Sequence, residues 1–316
     1  MSFSSEVKHE ITQRDLTPAQ VRAQLSGFMH LNASLTISNR NMQLQVEISN
    51  PTIARRIFSL LKERYDVDME LTVLKRQNLQ KNNIYRLTVK EKALAILEDL
   101  GIYDSKGFRK SPYRVIVVQE SYAQSYLAGC FLATGSVNSP TKPDYHLEVG
   151  ANTEEMAKFI LNLLDRFGLN AKYTTRRKKY IVYLKAADQI ADFLKIVGAY
   201  NMTMDFEDIR IQRDFRNSLT RLNNTEVANE MKTIKAGNAQ MDAILKLMEH
   251  NHYHHLDQRL IEVGDLRMDY PEASLNELIE VYYQKTGTKI SKSGLQHRFK
   301  SIIELADKIG VGETNG

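Results

Sequence analysis

Apolar residues recur along this chain with two periods, one helical and one of strands, in an order that repeats. Thr17-Pro18 places proline in the first turn of a helix, and Val21, Leu25, Phe28 and Met29 follow at three- and four-residue spacing. Residues 43–48 then alternate, with Leu44, Val46 and Ile48 between polar neighbours, the period of a half-buried strand. Ile53, Ile57, Leu60 and Leu61 predict a second helix, residues 71–74 and 85–89 two strands around the polar turn 80–83, and residues 94–100 a helix with Gly101 at its C-cap. Further on come a helix over 122–133, a strand over 145–149, a helix over 156–167 ending at Gly168, strands over 172–175 and 179–184, and a helix over 190–197 ending at Gly198. The pattern reads α-β-β-α-β-β-α, twice.

The repetition extends to residue identity. LSGFMHLNASL from Leu25 matches LAGCFLATGSV from Leu127 at an offset of 102 residues, which pairs Gly27 with Gly129 and Ser34 with Ser136. At the same offset Arg64-Tyr65 meets Arg166-Phe167, and after a small drift Leu100-Gly101-Ile102-Tyr103 meets Val197-Gly198-Ala199-Tyr200. A unit of this length is too long for a solenoid repeat of about 20 to 50 residues. It predicts one α+β domain over residues 1–210 with pseudo-two-fold symmetry, its repeats at about 15–105 and 120–202. Gly27, Ala128 and Gly129 would let two helices approach closely at the dyad.

The rest of the chain reads as helical. Residues 211–255 carry Phe215, Leu219, Leu222, Val227, Met231, Ile234, Met241, Ile244, Leu245 and Met248 at mixed spacing. They predict linker helices interrupted near Asn223-Asn224-Thr225 and Gly237-Asn238. Residues 256–316 predict an all-α helix-turn-helix domain. Leu256, Leu260, Val263 and Leu266 mark its first helix, stopped by Asp269-Tyr270-Pro271. Ser274 and Glu277 form a capping box before Leu275, Leu278, Ile279 and Tyr282, and Thr286-Gly287-Thr288 is the turn. Ser291 caps a third helix whose buried stripe is Leu295, Phe299 and Ile302.

Charge gives that third helix a candidate chemistry. Lys285, Lys289, Lys292, Arg298 and Lys300 lie in a stretch without acids, whereas residues 256–280 hold Asp257, Glu262, Asp265, Asp269, Glu272, Glu277 and Glu280. Such sorting suits a nucleic-acid face. Ser291, Ser293 and Gly294 put small groups and backbone N–H at the helix N-terminus, where phosphate would be met, and Lys292 is a further contact shared by all sequences. Gln296 matches the adenine edge, and His297 and Lys300 can donate to guanine or phosphate. With Lys289 and Arg298 these are the candidate DNA-binding residues for double-stranded DNA. Weaker candidates are Arg176, Arg177, Lys178 and Lys179 at one strand turn and Lys75 and Arg76 near the equivalent turn of the first repeat. Arg55-Arg56 reads as exposed helix surface, and His30 and His146 as structural residues.

Composition narrows the remaining choices. The chain has 316 residues, 42% hydrophobic and 26% charged, with a net charge of +5. Two domains and a soluble fold are expected. No apolar run reaches the roughly 18 residues of a membrane span, and the start lacks the apolar core of a secretory signal, so a cytoplasmic protein without a membrane partner is expected. The single cysteine, Cys130, can form no internal disulfide and sits in an apolar helix, as a buried small hydrophobe does. Residues 250–255 hold four of the eight histidines but no cysteine or spaced acid pair, which favours a linker over a metal site.

The segment Leu127-Ala128-Gly129-Cys130-Phe131-Leu132-Ala133-Thr134-Gly135 resembles the LAGLIDADG motif of homing endonucleases, in which two motif helices pack together beneath a saddle of two four-stranded sheets. The resemblance implies that a metal-binding acid would stand just before the last glycine. Asn32 and Thr134 stand there instead. Mg²⁺ needs charged oxygen ligands, so no catalytic residue, metal or cofactor is expected. Three further stretches widen the likeness: residues 2–10 (SFSSEVKHE), residues 126–137, and the C-terminal YPEASLNEL from Tyr270 with SKSGLQHR from Ser291. In these the chain resembles the WhiA family, whose degenerate endonuclease-like domain precedes a helix-turn-helix domain. That resemblance implies a DNA-binding transcription regulator linked to cell division, chromosome segregation and, in spore-forming relatives, sporulation. A monomer is expected, since two fused repeats already supply the dyad. The competing readings are an endonuclease recruiting acids such as Glu148 or Glu120, and a repeat domain that docks a protein of the transcription or division machinery.

Overall fold

The computed structural model describes residues 2–38, 41–75, 83–177 and 179–312. The chain divides into two units, Met1–Asp214 and Phe215–Gly316. In the first, Ser2 caps α1 (Phe3–Thr12), a helix with no counterpart among the sequence expectations. A capping box between Thr17 and Gln20 opens α2 (Pro18–Asn32), which runs directly into β1 (Ala33–Ser38) and β2 (Asn41–Ile48). Asn50 accepts from the amides of Thr52 and Ile53 to open α3 (Pro51–Tyr65); β3 (Met69–Leu74), β4 (Ile84–Val89) and α4 (Ala93–Asp99) follow.

After a small hairpin of β5 (Tyr103–Asp104) and β6 (Gly107–Phe108), the second repeat begins. It consists of α5 (Glu120–Thr134), β7 (Gly135–Val137), β8 (Leu147–Ala151), α6 (Glu154–Asp165), β9 (Lys172–Arg176), β10 (Lys179–Leu184) and α7 (Ala187–Ile196). The two antiparallel sheets have the same order, β1-β2-β4-β3 and β7-β8-β10-β9. β1 and β7 fill a place the alternation did not locate, because each follows its motif helix without a break and β7 has only three residues.

At the dyad α2 packs on α5 with backbone against backbone. A Cβ added to Gly27 would lie 2.2 Å from the Tyr126 carbonyl oxygen, and one on Gly129 would lie 2.1 Å from that of Gln24. Only glycine fits such an approach. Leu25, Phe28, Leu127, Cys130 and Phe131 are buried around the crossing. His30, in α2, is also structural: its Nε2 donates to the Arg109 carbonyl at 2.7 Å, and Tyr126 Oη lies 3.3 Å from Nδ1. Arg56 departs from the expected exposed surface, since its guanidinium is half-buried and donates to the carbonyl of Arg14.

α8 (Tyr200–Glu249) is one helix of 50 residues, so the interruptions expected near residues 223 and 237 do not occur. Asn and Gly inside a helix cost roughly 0.5 to 1 kcal/mol each, a cost too small to break a helix of this length. Gly237 has its own reason, because a Cβ there would lie 3.0 Å from the carbonyl of Pro271. The second unit builds its core from Ile244 and Leu247 of α8 and from α9 (Gln258–Asp269), α10 (Leu275–Thr286) and α11 (Lys292–Gly312). Ala243, Ile244, Leu247 and Tyr253 therefore belong to a core where the sequence pattern suggested only a linker.

Candidate nucleic-acid interface

α10 and α11 are joined by a turn whose residue Gly287 has φ +66°, a left-handed conformation that glycine adopts without strain. The Ser274–Glu277 capping box opens α10 as its sequence signature requires. Ser291 accepts from the Gly294 amide at 3.1 Å and so starts α11. Leu295, Phe299 and Ile302 are fully buried and fix the rotation of α11 about its axis. Ser291, Lys292, Ser293, Gln296, His297 and Lys300 are consequently exposed. Lys289 is exposed in the turn, with its ammonium 6.0 Å from the Tyr283 ring centre.

Two of the basic residues are engaged inside the unit. Arg298 is half-buried and donates to Tyr282 Oη at 3.2 Å, and that hydroxyl donates to Glu262 at 2.9 Å. It ties α11 to α10 and α9, which leaves it less suited to a base than its neighbours. Lys285 is ion-paired with Asp269. Lys300 lies 3.6 Å from Glu304 one turn on, an exposed pair worth a few tenths of a kcal/mol at about 0.3–0.5.

A groove of about 550 Å³ brings Lys292 and Gln296 together with Lys232 of α8 and with Ser274 and Asn276 at the start of α10. Lys232 and Asn276 escaped the sequence reading because they lie outside the helix that carries the basic run. Arg267 also escaped it. This residue is 2% exposed and donates to Gln240 at 2.9 Å and to the carbonyls of Tyr270, Pro271 and Ala273 at 3.2, 3.2 and 2.6 Å. It thereby holds the turn that sets the start of α10; burial lowers its pKa from the usual arginine value. The one sequence signal was its place four residues after Val263, on the apolar face of α9.

In the first unit Arg176, Arg177 and Lys179 form the exposed tip between β9 and β10, where Arg176 pairs with Lys179 and Arg177 has φ +50°. Lys75, also exposed, follows β3, the equivalent edge strand of the other sheet. Arg76 and Lys178 lie outside the described residues. Between the tips the first sheet is not strongly basic: Arg86 pairs with Glu47 at 2.6 Å and Lys90 with Glu70 at 2.8 Å.

The positions of the motif acids have a definite geometry. Asn32 donates through Nδ2 to the Glu47 carbonyl at 3.0 Å, and Thr134 donates through Oγ1 to the Gly150 carbonyl at 2.7 Å. Both side chains are thus donors to the neighbouring strand, the opposite of what a metal ion requires, and the residues present do not fit one. Glu148 accepts from Ser136 at 3.3 Å and His146 at 3.2 Å. Glu120 opens α5, about 20 Å along the helix from Thr134. Among the described residues no group of three His, Cys, Asp or Glu side chains is placed to hold a metal ion. No described helix is long and apolar enough to cross a membrane.

A LAGLIDADG-type dyad without acids at the motif positions, followed by a helix-turn-helix unit, defines a class of degenerate endonuclease-like proteins with a DNA-binding module. The family comparisons agree over nearly the whole length. The WhiA N-terminal LAGLIDADG-like domain matches residues 18–103, the WhiA LAGLIDADG-like domain residues 123–216, and the WhiA C-terminal HTH domain residues 219–306. The probable cell division protein WhiA of Bacillus subtilis strain 168 is 42% identical over 315 residues, 99% of each chain. Its namesake in Bacillus cereus strain B4264 is 44% identical over the same share. Full-length DUF199/WhiA from Thermotoga maritima shares the fold, with a TM-score of 0.60 at 23% identity over 98% of this chain and 99% of that one. The chain belongs to the WhiA family.

Proposed function

We propose that this protein is a sequence-specific, DNA-binding transcriptional regulator without nuclease activity. The observation that carries the reading is the surface of α11, where Lys292, Gln296, His297 and Lys300 are exposed opposite a fully buried stripe. α11 enters the major groove of double-stranded DNA; Gln296 and His297 read base edges, while Ser291, Lys292 and Ser293 meet phosphate. The name of its relatives supports a role in cell division. The family resemblance extends that role to chromosome segregation and, in spore-forming relatives, sporulation. In this reading the protein is a cytoplasmic, nucleoid-associated monomer needing no cofactor. Its repeat unit scaffolds phosphate contacts at Lys75, Arg176, Arg177 and Lys179, or docks a protein of the transcription or division machinery.

Chromatin immunoprecipitation with sequencing supplies the target, and binding to that duplex tests the helix. Gln296→Ala or His297→Ala is expected to relax base preference at one or two positions, at a cost of about 1 to 3 kcal/mol. Lys292→Ala should weaken binding to all sequences alike and reduce its salt dependence. Unchanged affinity in all three variants would remove α11 from the interface.

A further inference from the structure

A cavity of about 280 Å³ opens where the C-terminal ends of α2 and α5 meet the first turns of α1 and α3. Its wall carries the hydroxyls and amides of Ser4, Ser5, Asn32, Asn50 and Ser136, and one ammonium, that of Lys8. Lys8 donates to the Leu132 carbonyl at 3.4 Å and lies 5.6 Å from the centre of the Phe131 ring. An ammonium has three donors, so this bond leaves two for a ligand. Among the described residues no carboxylate pairs with Lys8. Glu47, which also lines the cavity, is paired with Arg86. Burial lowers the Lys8 ammonium to about 8, so a poorly solvated cation is held against a void where an apolar side chain would cost less. Perturbed groups facing a cavity concentrate at binding sites.

We propose that this cavity binds a phosphate group. Lys8 supplies the charge, and the hydroxyls of Ser4, which accepts from the Val137 amide and keeps its own hydrogen, and of Ser5 supply donors around it. The caps of α1 and α3, Ser2 and Asn50, both line the cavity, so the positive ends of two helix dipoles lie at its wall. The volume lies just below the roughly 300 Å³ at which pockets for larger ligands begin, which suits one phosphate with little attached. The location inverts the chemistry of a cutting enzyme. Beside Asn32, where such an enzyme sets an anion to hold a cation, this chain sets a cation able to hold an anion.

A DNA backbone phosphodiester and a free phosphate share this chemistry, and one experiment separates them. The site does not depend on the role given to α11. Acetylation of Lys8 in the full chain by acetic anhydride is followed by mass spectrometry in inorganic phosphate, in a short DNA duplex, and in chloride of matched ionic strength. A ligand at roughly ten times its dissociation constant is expected to slow the reaction about tenfold, with exposed Lys62 unaffected by phosphate. Protection by inorganic phosphate assigns a free phosphate, and protection by duplex alone assigns the DNA backbone. Protection by neither, or equal protection by chloride, overturns the proposal. In parallel, inorganic phosphate, where it protects, should raise the Tm of the wild type and Lys8→Arg but not of Lys8→Met; for the duplex, which α11 also binds, the readout is Lys8 protection alone. An equal rise in Lys8→Met overturns it too.

Discussion

Lys8 and His30 are two side chains of the first unit whose burial works against their charge within the ordinary pH range, and each gives stability a distinct pH dependence. With its pKa lowered from 10.5 to about 8, Lys8 binds fewer protons in the folded chain than in the unfolded one between those values. Stability therefore rises with pH across that window and the gain is lost as pH falls through 8. At pH 7 the charged group costs the fold on the order of 3 kcal/mol. Lys8→Met is expected to raise stability in urea unfolding at pH 7 and to abolish the rise above pH 8. His30 has its pKa lowered chiefly by burial, and its Nε2–H donates to Arg109. Its contribution is present above the ordinary imidazole value of 6.5 and is lost as pH falls below it. His30→Gln should flatten that acid limb, which a melting series from pH 7 to about 4.5 would reveal.

Among the elements, the α2–α5 crossing tolerates the least change. Gly27→Ala or Gly129→Ala forces a methyl into a facing backbone carbonyl, and a loss of about 3 kcal/mol or more is expected in denaturant unfolding. Ser274→Ala removes the α10 cap and should cost about 1 kcal/mol. Both devices were legible in the sequence, because a small-residue motif and a capping box are written in adjacent residue types. The helix-turn-helix was legible for the same reason: its stripes, cap and turn glycine lie in sequence order. β1 and β7 were not, since register and pairing to β2 and β8 create them more than their own alternation does. Nor were the Asn32 and Thr134 bonds or the Arg267 anchor, whose acceptors are mostly backbone carbonyls and carry no residue signature. Lys8 reads in the sequence as an ordinary helical lysine, and only the cavity reveals its surroundings.

At the scale of the whole molecule, two cores in one chain predict two unfolding events in calorimetry. Gly129→Ala should lower the transition of the first unit, and Phe299→Ala that of the second by the 3 to 5 kcal/mol typical of such a truncation. A single transition moved alike by both variants would contradict this independence. Incubation with supercoiled plasmid and Mg²⁺ or Mn²⁺ is expected to leave the DNA intact, and nicking lost on Glu148→Gln would overturn the regulator reading. The hydrogen bonds of Asn32 and Thr134 bear on what else this scaffold could become. Exchanging both for aspartate would aim two ionised oxygens at the carbonyls of Glu47 and Gly150, lone pair against lone pair. Restoring acids at these two positions would thus first disfavour the fold, so a stability barrier stands in front of any metal site rebuilt at the crossing.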